Sequence, residues 1–299
     1  TFNFHDIAFQ LPLARRLGLG FSLTPYSSVG YRVSADEQSD DVWGNIGRVQ
    51  YLYAGEGDLT EVKLGIGWEV VKRVSIGVAA QYYWGDIERT YQTVVSNNIV
   101  NGGSVNTVTG TDSYGISRIK MQLGLQADLI QSERQVLTLG ATYDMGGNLR
   151  PSVNQTVVNG DIYGTVVRGD TTRMALKLPV QLGVGLYYQN AKIAAGVDYI
   201  YQNWENNESP KSVPGAVNVA YKNTNTVKLG FEYTPNRMDI RNYLKRWSYR
   251  VGFRYGTYYQ TFEGKTLSQY AVTAGFGMPV RFLGRSSIDF GVEFGQRGN

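Results

Sequence analysis

Apolar and polar residues alternate with a period of two along most of this chain. In 60–71, for example, every second residue from Val62 to Val70 is apolar, and the residues between them are Lys, Glu or Gly. A helix, with its period of 3.6 residues, would scatter these apolar side chains around its whole surface. The alternation therefore predicts an all-β protein.

Twelve segments carry this pattern. They lie at about 4–13, 16–34, 46–71, 73–95, 113–131, 134–146, 172–189, 191–204, 217–234, 246–262, 266–281 and 286–297. Many reach or exceed the ~9–11 residues that a tilted transmembrane strand requires, whereas strands of soluble proteins average about 5–6. Aromatic residues such as Trp68, Trp84, Tyr143, Tyr187 and Trp247 mark their ends, as in an interfacial girdle. The sequence predicts a transmembrane antiparallel β-barrel with about twelve visible strands.

The connectors alternate between two kinds. Tight turns fall at 14–15, 72, 132–133, 190 and 283–285, whereas long polar connectors fall at 35–45, 96–112, 147–171 and 205–216. Bacterial barrels have short periplasmic turns and longer external loops, so we place the tight turns in the periplasm. The connector 235–245 is long, but the alternation of connectors places it on the periplasmic side. Its residues Met238, Ile240, Tyr243 and Leu244 predict a short interfacial helix.

Composition excludes several classes of chemistry. The chain has 36 Gly and 22 Tyr in 299 residues, no Cys and one His, His5. A disulfide scaffold, a thiol nucleophile and a Cys-ligated zinc site are excluded, and we expect no catalysis and no cofactor. The net charge of +4 comes from basic residues dispersed over turns, so no nucleic-acid partner is expected. The acidic first long connector is either solvated or binds divalent cations or a partner.

Charged residues also occupy the inward-facing positions of the strands. The candidate lumen charges are Glu61, Lys63, Lys120, Asp128, Lys177, Arg250, Arg254 and Glu293. Opposite charges facing each other across strands would satisfy an enclosed polar interior. The alternative is a selective path for a translocated molecule.

Pro179 interrupts an otherwise regular stripe. Pro donates no ladder hydrogen bond, and Pro179 lies roughly 20–25 Å above the nearest periplasmic turn, near the outer edge of the apolar band. A lipid-facing backbone must be fully hydrogen-bonded. A bulge or inward kink is therefore predicted at Leu178–Pro179–Val180, and we hypothesise that it opens a lateral exit for an apolar ligand.

Three segments carry a family resemblance. They are LPLARRLGLGFSLTPYSSVGY at 11–31, YAGEGDLTEVKLGIGWEVVKRVSIGVAAQYYWGDI at 53–87 and YAVTAGFGMPVRFLGRSSIDFGVEFGQRG at 270–298. Together they resemble the FadL/TodX family of outer-membrane hydrophobic-compound transporters, in particular its divergent Bacteroidota branch. The resemblance implies a barrel of 14 strands in the complete protein, an N-terminal hatch, and diffusion of fatty acids or aromatic hydrocarbons through the wall. The hatch and the closing strand are not found in this chain, so no ligand position is carried over and 1–299 is expected to be a single barrel.

Two functions follow as expectations. The first is passive uptake of hydrophobic small molecules such as fatty acids. The alternative is an accessory barrel subunit of a multiprotein outer-membrane secretion, uptake or barrel-assembly complex. A general porin is less favoured, because Tyr and long charged side chains crowd the lumen face. The expected location is the outer membrane of a diderm bacterium, crossed many times. The expected partners are outer-membrane lipid and lipopolysaccharide, with a hydrophobic ligand or detergent and other outer-membrane proteins as candidates.

Overall fold

A computed structural model describes residues 6–96, 105–149, 151–159, 165–173, 177–205, 219–262, 264–280 and 286–298. His5, most of the connector 205–216 and the turn 283–285 lie outside these residues. The strands are Ile7–Ala14 (β1), Leu17–Asp36 (β2), Arg48–Val71 (β3), Val74–Ser96 (β4), Val105–Gln131 (β5), Gln135–Asp144 (β6), Gly147–Asn148 (β7), Ser152–Asn159 (β8), Thr165–Arg173 (β9), Lys177–Leu178 (β10), Val180–Asn190 (β11), Ile193–Asn203 (β12), Val219–Tyr221 (β13), Thr224–Tyr233 (β14), Ser248–Phe262 (β15), Lys265–Val280 (β16) and Ser286–Arg297 (β17).

Twelve of these strands form one continuous antiparallel path, in the order β1-β2-β3-β4-β5-β6-β11-β12-β14-β15-β16-β17. Each corresponds to one predicted stripe. Apolar side chains such as Leu64, Ile66 and Phe253 are exposed on the outer face, and Gly and polar residues alternate with them on the inner face. Within the described residues, β1 pairs with β2 and β17 pairs with β16. The fold is a transmembrane antiparallel β-barrel, as predicted.

Two connectors predicted as long polar loops contain strands. β5 begins at Val105, inside 96–112, and β8 and β9 lie largely inside 147–171. β8 pairs with β5 along Val108–Gly115. These strands are rich in Thr, Asn and Gln and lie beyond the apolar belt, so no apolar stripe marks them in the sequence. The connector 35–45 holds a short helix, Asp40–Asn45 (α1).

The strands β2 to β5 are much longer than the membrane requires. They have 20, 24, 23 and 27 residues. At about 3.3 Å per residue and a tilt near 45°, 24 residues rise about 55 Å, against roughly 30 Å of hydrocarbon. We call the part beyond the membrane, with β8 and β9, the tall wall. It rises at the end of the barrel opposite the tight turns, the long-loop end.

Two glycines lie diagonally across the ladder between β3 and β4, at the base of the tall wall. Gly57 on β3 has φ +124° and Gly85 on β4 has φ +149°. A Cβ on Gly57 would collide with the carbonyl oxygen of Asp86, and one on Gly85 with the carbonyl oxygen of Asp58. Both positions therefore require glycine.

The predicted interfacial helix at 235–245 is wrong in extent. Only Tyr243–Arg246 is helical, as one turn of 3-10 helix. Met238 and Ile240 precede it, in turns where the Asn236 and Asp239 side chains accept backbone hydrogen bonds. Such side-chain acceptors compete with helical hydrogen bonding. None of the helices in the described ranges is long and apolar enough to cross a membrane.

Candidate functional site in the barrel wall and lumen

The barrel wall is interrupted at Leu178–Pro179–Val180. β11 begins at Val180, and the preceding β10 pairs with β7 in a separate two-stranded sheet. Pro179 belongs to neither strand, because it has no N–H with which to continue the ladder. β6 ends at Asp144, which pairs with Gln181. Both strands thus leave the wall at the same level, where the sequence predicts a kink.

The chain turns inward at this break. The side chain of Leu178 is buried in a cluster with Leu59, Tyr83, Ile116 and Leu149. Because Leu59, Tyr83 and Ile116 occupy inward-facing positions on β3, β4 and β5, the cluster lies inside the barrel. Apolar surface is therefore concentrated in the lumen directly beside the level at which β6 and β11 end.

A network of glutamines converges on Asp144 close to the cluster. The Nε2 groups of Gln81, Gln122 and Gln181 donate to its carboxylate at 3.1, 2.8 and 3.2 Å. Gln202 extends the network by donating to Gln181 Oε1 at 2.7 Å. Asp144 is only 6% exposed, and hydrogen bonds to a charged acceptor are stronger than neutral ones. The network links four neighbouring inner-face positions from β5 to β12, and Gln81 joins it from β4.

Three of the predicted lumen charges, Glu61, Lys63 and Lys120, lie beside this network. Lys63 Nζ lies 3.4 Å from Glu61 Oε1, and Lys120 Nζ lies 5.6 Å from the ring centroid of Tyr83. They line a cavity of about 150 Å³ together with the glutamines and Asp144. We call this set the polar band. Its members are Glu61, Lys63, Gln81, Lys120, Gln122, Asp144, Gln181 and Gln202.

Three other predicted charges lie in the opposite part of the lumen. Arg250 donates to Glu232 at 2.8 Å and to Asp289 at 2.6 Å, and Arg254 donates to Glu293 at 2.9 Å. These five residues on β14, β15 and β17 are the ion-pair ladder. Arg250 reaches Asp289 across β16, where Gly277 leaves room for both side chains. The ladder residues Glu232, Arg250, Asp289 and Glu293 help to line a cavity of about 730 Å³.

The two remaining predicted charges belong to neither group. Asp128 accepts a hydrogen bond from Thr138 Oγ1 at 2.8 Å, near a tight turn. Lys177 lies on β10, within the interruption of the wall. Among the described residues, no group of three or more His, Cys, Asp or Glu has the geometry to hold a metal ion.

Tyr187 faces the lumen and does not belong to the lipid girdle. Its cross-strand partners are Thr138 and Gly196, which occupy inner-face positions. It lines both the cavity of about 730 Å³ and a second cavity of about 590 Å³. Successive residues of a strand face opposite sides, so only one of Tyr187 and Tyr188 can face lipid.

Sequence reasoning missed Asp144 and the glutamines of the polar band, because it considered charged pairs only. A signal was present: Gln81, Gln122 and Gln181 occupy inward-facing positions on three different strands. What the sequence does not reveal is that tight turns bring these positions to the same height.

Comparison with known proteins gives a family and a fold. A family model described as BamG matches residues 1–299. The crystal structure of a Pseudomonas aeruginosa FadL homologue aligns with a TM-score of 0.64 and 13% identity, over 97% of this chain and 70% of that one. The Pseudomonas putida toluene transporter TodX aligns with a TM-score of 0.46 and 12% identity, over 97% and 80% of the two chains. No curated protein matches in sequence. The fold is that of the FadL homologue, whereas membership of a Bacteroidota branch stays a prediction.

Proposed function

The chain belongs to the BamG family, and we propose that it is an accessory barrel subunit of a multiprotein outer-membrane assembly. The observation that carries this proposal is the family match along all 299 residues. The family name supports an accessory role for a barrel in a protein complex. Outer-membrane lipid and lipopolysaccharide are then its surroundings, and other outer-membrane proteins are its partners.

The side chains that line the lumen favour a function carried out by the outer surfaces of the barrel. They do not favour an open pore. A cavity of about 150 Å³ lies at the polar band, where Asp144 holds three side-chain amides from neighbouring strands of the wall. The apolar cluster around Leu149 fills the space beside the band. A general porin needs a continuous wet path, and at this level the network and the cluster occupy part of the interior.

The tall wall supplies surface for partners. It rises roughly 25 Å beyond the membrane by the same strand geometry, and exposed polar residues such as Glu56, Asp86 and Glu88 lie on its strands. Since its height exceeds what a lone barrel needs to cross a lipid bilayer, we propose that partner proteins dock there.

Co-purification tests this function. The tagged full chain, expressed at its natural level and extracted in mild detergent, is expected to bring down other outer-membrane proteins in fixed ratio. Replacing 152–173, the β8–β9 hairpin, by a short Gly-Ser turn should reduce that recovery several-fold while leaving the barrel folded. The replacement of Asp40–Asn45 by a linker is a control on the same end of the barrel. A chain that elutes alone at natural expression would contradict the proposal.

The break in the wall favours a second candidate, passive uptake of hydrophobic small molecules such as fatty acids. An apolar molecule entering at the long-loop end would meet the cluster of Leu59, Ile116 and Leu178 and then leave sideways at Pro179. Pro179→Val restores a backbone donor and is expected to slow uptake of a fluorescent fatty acid at least several-fold. Pro12→Val, in the ladder of β1 beside a tight turn, is the matched control. Unchanged uptake in Pro179→Val would rule out the lateral exit.

A further inference from the structure

The connector between β14 and β15 is a folded protrusion at the end of the barrel that carries the tight turns. Asn236 Oδ1 accepts from the N–H of Met238 at 3.0 Å, and Asp239 Oδ1 accepts from the N–H groups of Arg241 and Asn242 at 2.9 and 2.8 Å. The Asn236 N–H donates to the carbonyl of Lys245 at 2.8 Å, which closes the loop. Its side chains are therefore presented in a defined arrangement.

This protrusion rests on the lipid-facing side of the barrel. Tyr249 is an outward-facing residue of β15, and its hydroxyl donates to the Leu244 carbonyl at 3.1 Å. The Tyr243 hydroxyl donates to the Pro279 carbonyl at 2.8 Å. The Trp247 ring stacks on Phe276, with centroids 5.1 Å apart. The protrusion thus continues the aromatic girdle, which lies at the level of lipid headgroups.

The exposed surface of the protrusion combines apolar and basic side chains. Met238 is 85% exposed and Ile240 is 94% exposed. Its cations are Arg237, Arg241, Lys245 and Arg246, and its one carboxylate is Asp239. Arg237 is paired with Glu232 at 3.5 Å and Lys245 with Asp239 at 4.0 Å, and Arg246 lies over the Tyr243 ring at 4.7 Å. Apolar tips flanked by Lys and Arg are typical of segments that lie in a membrane interface.

We propose that this protrusion anchors the barrel by binding the anionic headgroup of a phospholipid in the periplasmic leaflet. Arg241 and Lys245 contact the phosphate, and Met238 and Ile240 enter the acyl region. Continuity with the aromatic girdle selects a lipid as the occupant, because Tyr243, Leu244 and Trp247 already lie against the lipid-facing strands. With Arg237 paired to Glu232 and Lys245 to Asp239, the charge of Arg241 and Arg246 still favours an anionic headgroup.

Native mass spectrometry of the whole protein in detergent tests the headgroup contact. Phosphatidylglycerol is expected to bind more tightly than phosphatidylcholine, and R241Q/K245Q should weaken phosphatidylglycerol binding about tenfold or more at low ionic strength. The matched control is R134Q/K192Q, which removes two cations from other tight turns and should change binding less than twofold. Equal losses of phosphatidylglycerol binding in the two double variants would overturn the proposal. No preference for phosphatidylglycerol over phosphatidylcholine would also overturn it. The proposal would also be overturned if R241Q/K245Q lost a periplasmic protein that co-purifies with the natural chain but still bound phosphatidylglycerol as the natural chain does.

A second measurement tests insertion of the apolar tip. The chain has no Cys, so Ile240→Cys and the control Glu133→Cys can each be labelled at one position with an environment-sensitive fluorophore. In phosphatidylglycerol vesicles the label at 240 should shift to shorter wavelength and be quenched by brominated acyl chains. The label at 133 should show neither effect. The same response at both positions, or none at 240, would contradict insertion.

Discussion

The polar band and the ion-pair ladder satisfy polar groups enclosed by the same barrel, but in different ways. In the polar band, Asp144 is 6% exposed and is held by three neutral amides. In the ladder, the Arg250 side chain is 45% exposed and lies between two carboxylates. Pairing two charges is costly where water is excluded and inexpensive where water remains. Lys63 and Glu61 also pair within the band at 3.4 Å, so the contrast is between Asp144 and Arg250. It shows that a buried carboxylate can be satisfied by neutral amides alone, whereas the more exposed Arg250 is satisfied by opposite charges.

Replacing Asp144 by Ala should have the largest effect. The change leaves the amides of Gln81, Gln122 and Gln181 with fewer acceptors in a packed region, and we expect a loss of about 2–4 kcal/mol in the free energy of unfolding. Urea unfolding followed by tryptophan fluorescence in detergent micelles measures it. Glu293→Ala, which removes one carboxylate from the ladder, should cost less than about 1 kcal/mol. Similar losses in both variants would mean that the two regions do not differ as described.

A Cβ at the base of the tall wall should have the next largest effect. Gly85→Ala forces a side chain onto a backbone that L residues rarely adopt, and should cost about 1–3 kcal/mol. Gly30→Ala is the control within the same wall, because no atom lies within 4 Å of the added Cβ. Unfolding midpoints of the two variants give the comparison. A Gly85→Ala variant as stable as Gly30→Ala would show that the positive φ is not required.

Salt should separate the two regions further. Arg250→Gln removes the two partly exposed ion pairs with Glu232 and Asp289. It is expected to cost about 0.5–1 kcal/mol at low ionic strength, with most of that difference lost in 1 M NaCl. Asp144→Asn acts at a group that is only 6% exposed, so its cost should change less with salt. Unfolding curves at two salt concentrations measure both. A salt-independent cost for Arg250→Gln would contradict a hydrated ladder.

Protonation of Asp239 should have the smallest effect on stability, and that effect should be local to the protrusion. Hydrogen bonds from the backbone N–H groups of Asn242 and Arg241, together with nearby Lys245, lower its pKa from the usual value. Because the folded pKa is depressed, its stabilising contribution is present above the unfolded pKa of about 3.9 and is lost as the pH falls through the folded value.

Hydrogen exchange checks this contribution. After correction for intrinsic rates, the amides of Arg241 and Asn242 should lose protection below about pH 4. The amide of Met238 is the control, because its acceptor is the neutral Asn236 side chain. Equal loss of protection at Met238 would point to opening of the whole protrusion, not to titration of Asp239.

The sequence predicted the barrel well because lipid imposes a strict alternation on every membrane-crossing strand. The predicted stripe 286–297 coincides with β17, and 46–71 differs from β3 by two residues at one end. Beyond the membrane that constraint is absent, so β8 and β9 left no apolar signal. Pro179 could be identified from the sequence because its chemistry is local. The contacts of Asp144 could not, since they depend on the relative heights of strands far apart in the chain.

The interruption at Pro179 has a consequence for the architecture of the chain. Because β6 and β11 already lie side by side, with Asp144 opposite Gln181, residues 145–179 form an insertion into what is otherwise a plain hairpin. The ladder between β6 and β11 is therefore complete without them. Natural variation in length and composition is expected to concentrate in residues 145–179. A grafted epitope is expected to be tolerated there more readily than in the membrane-crossing strands.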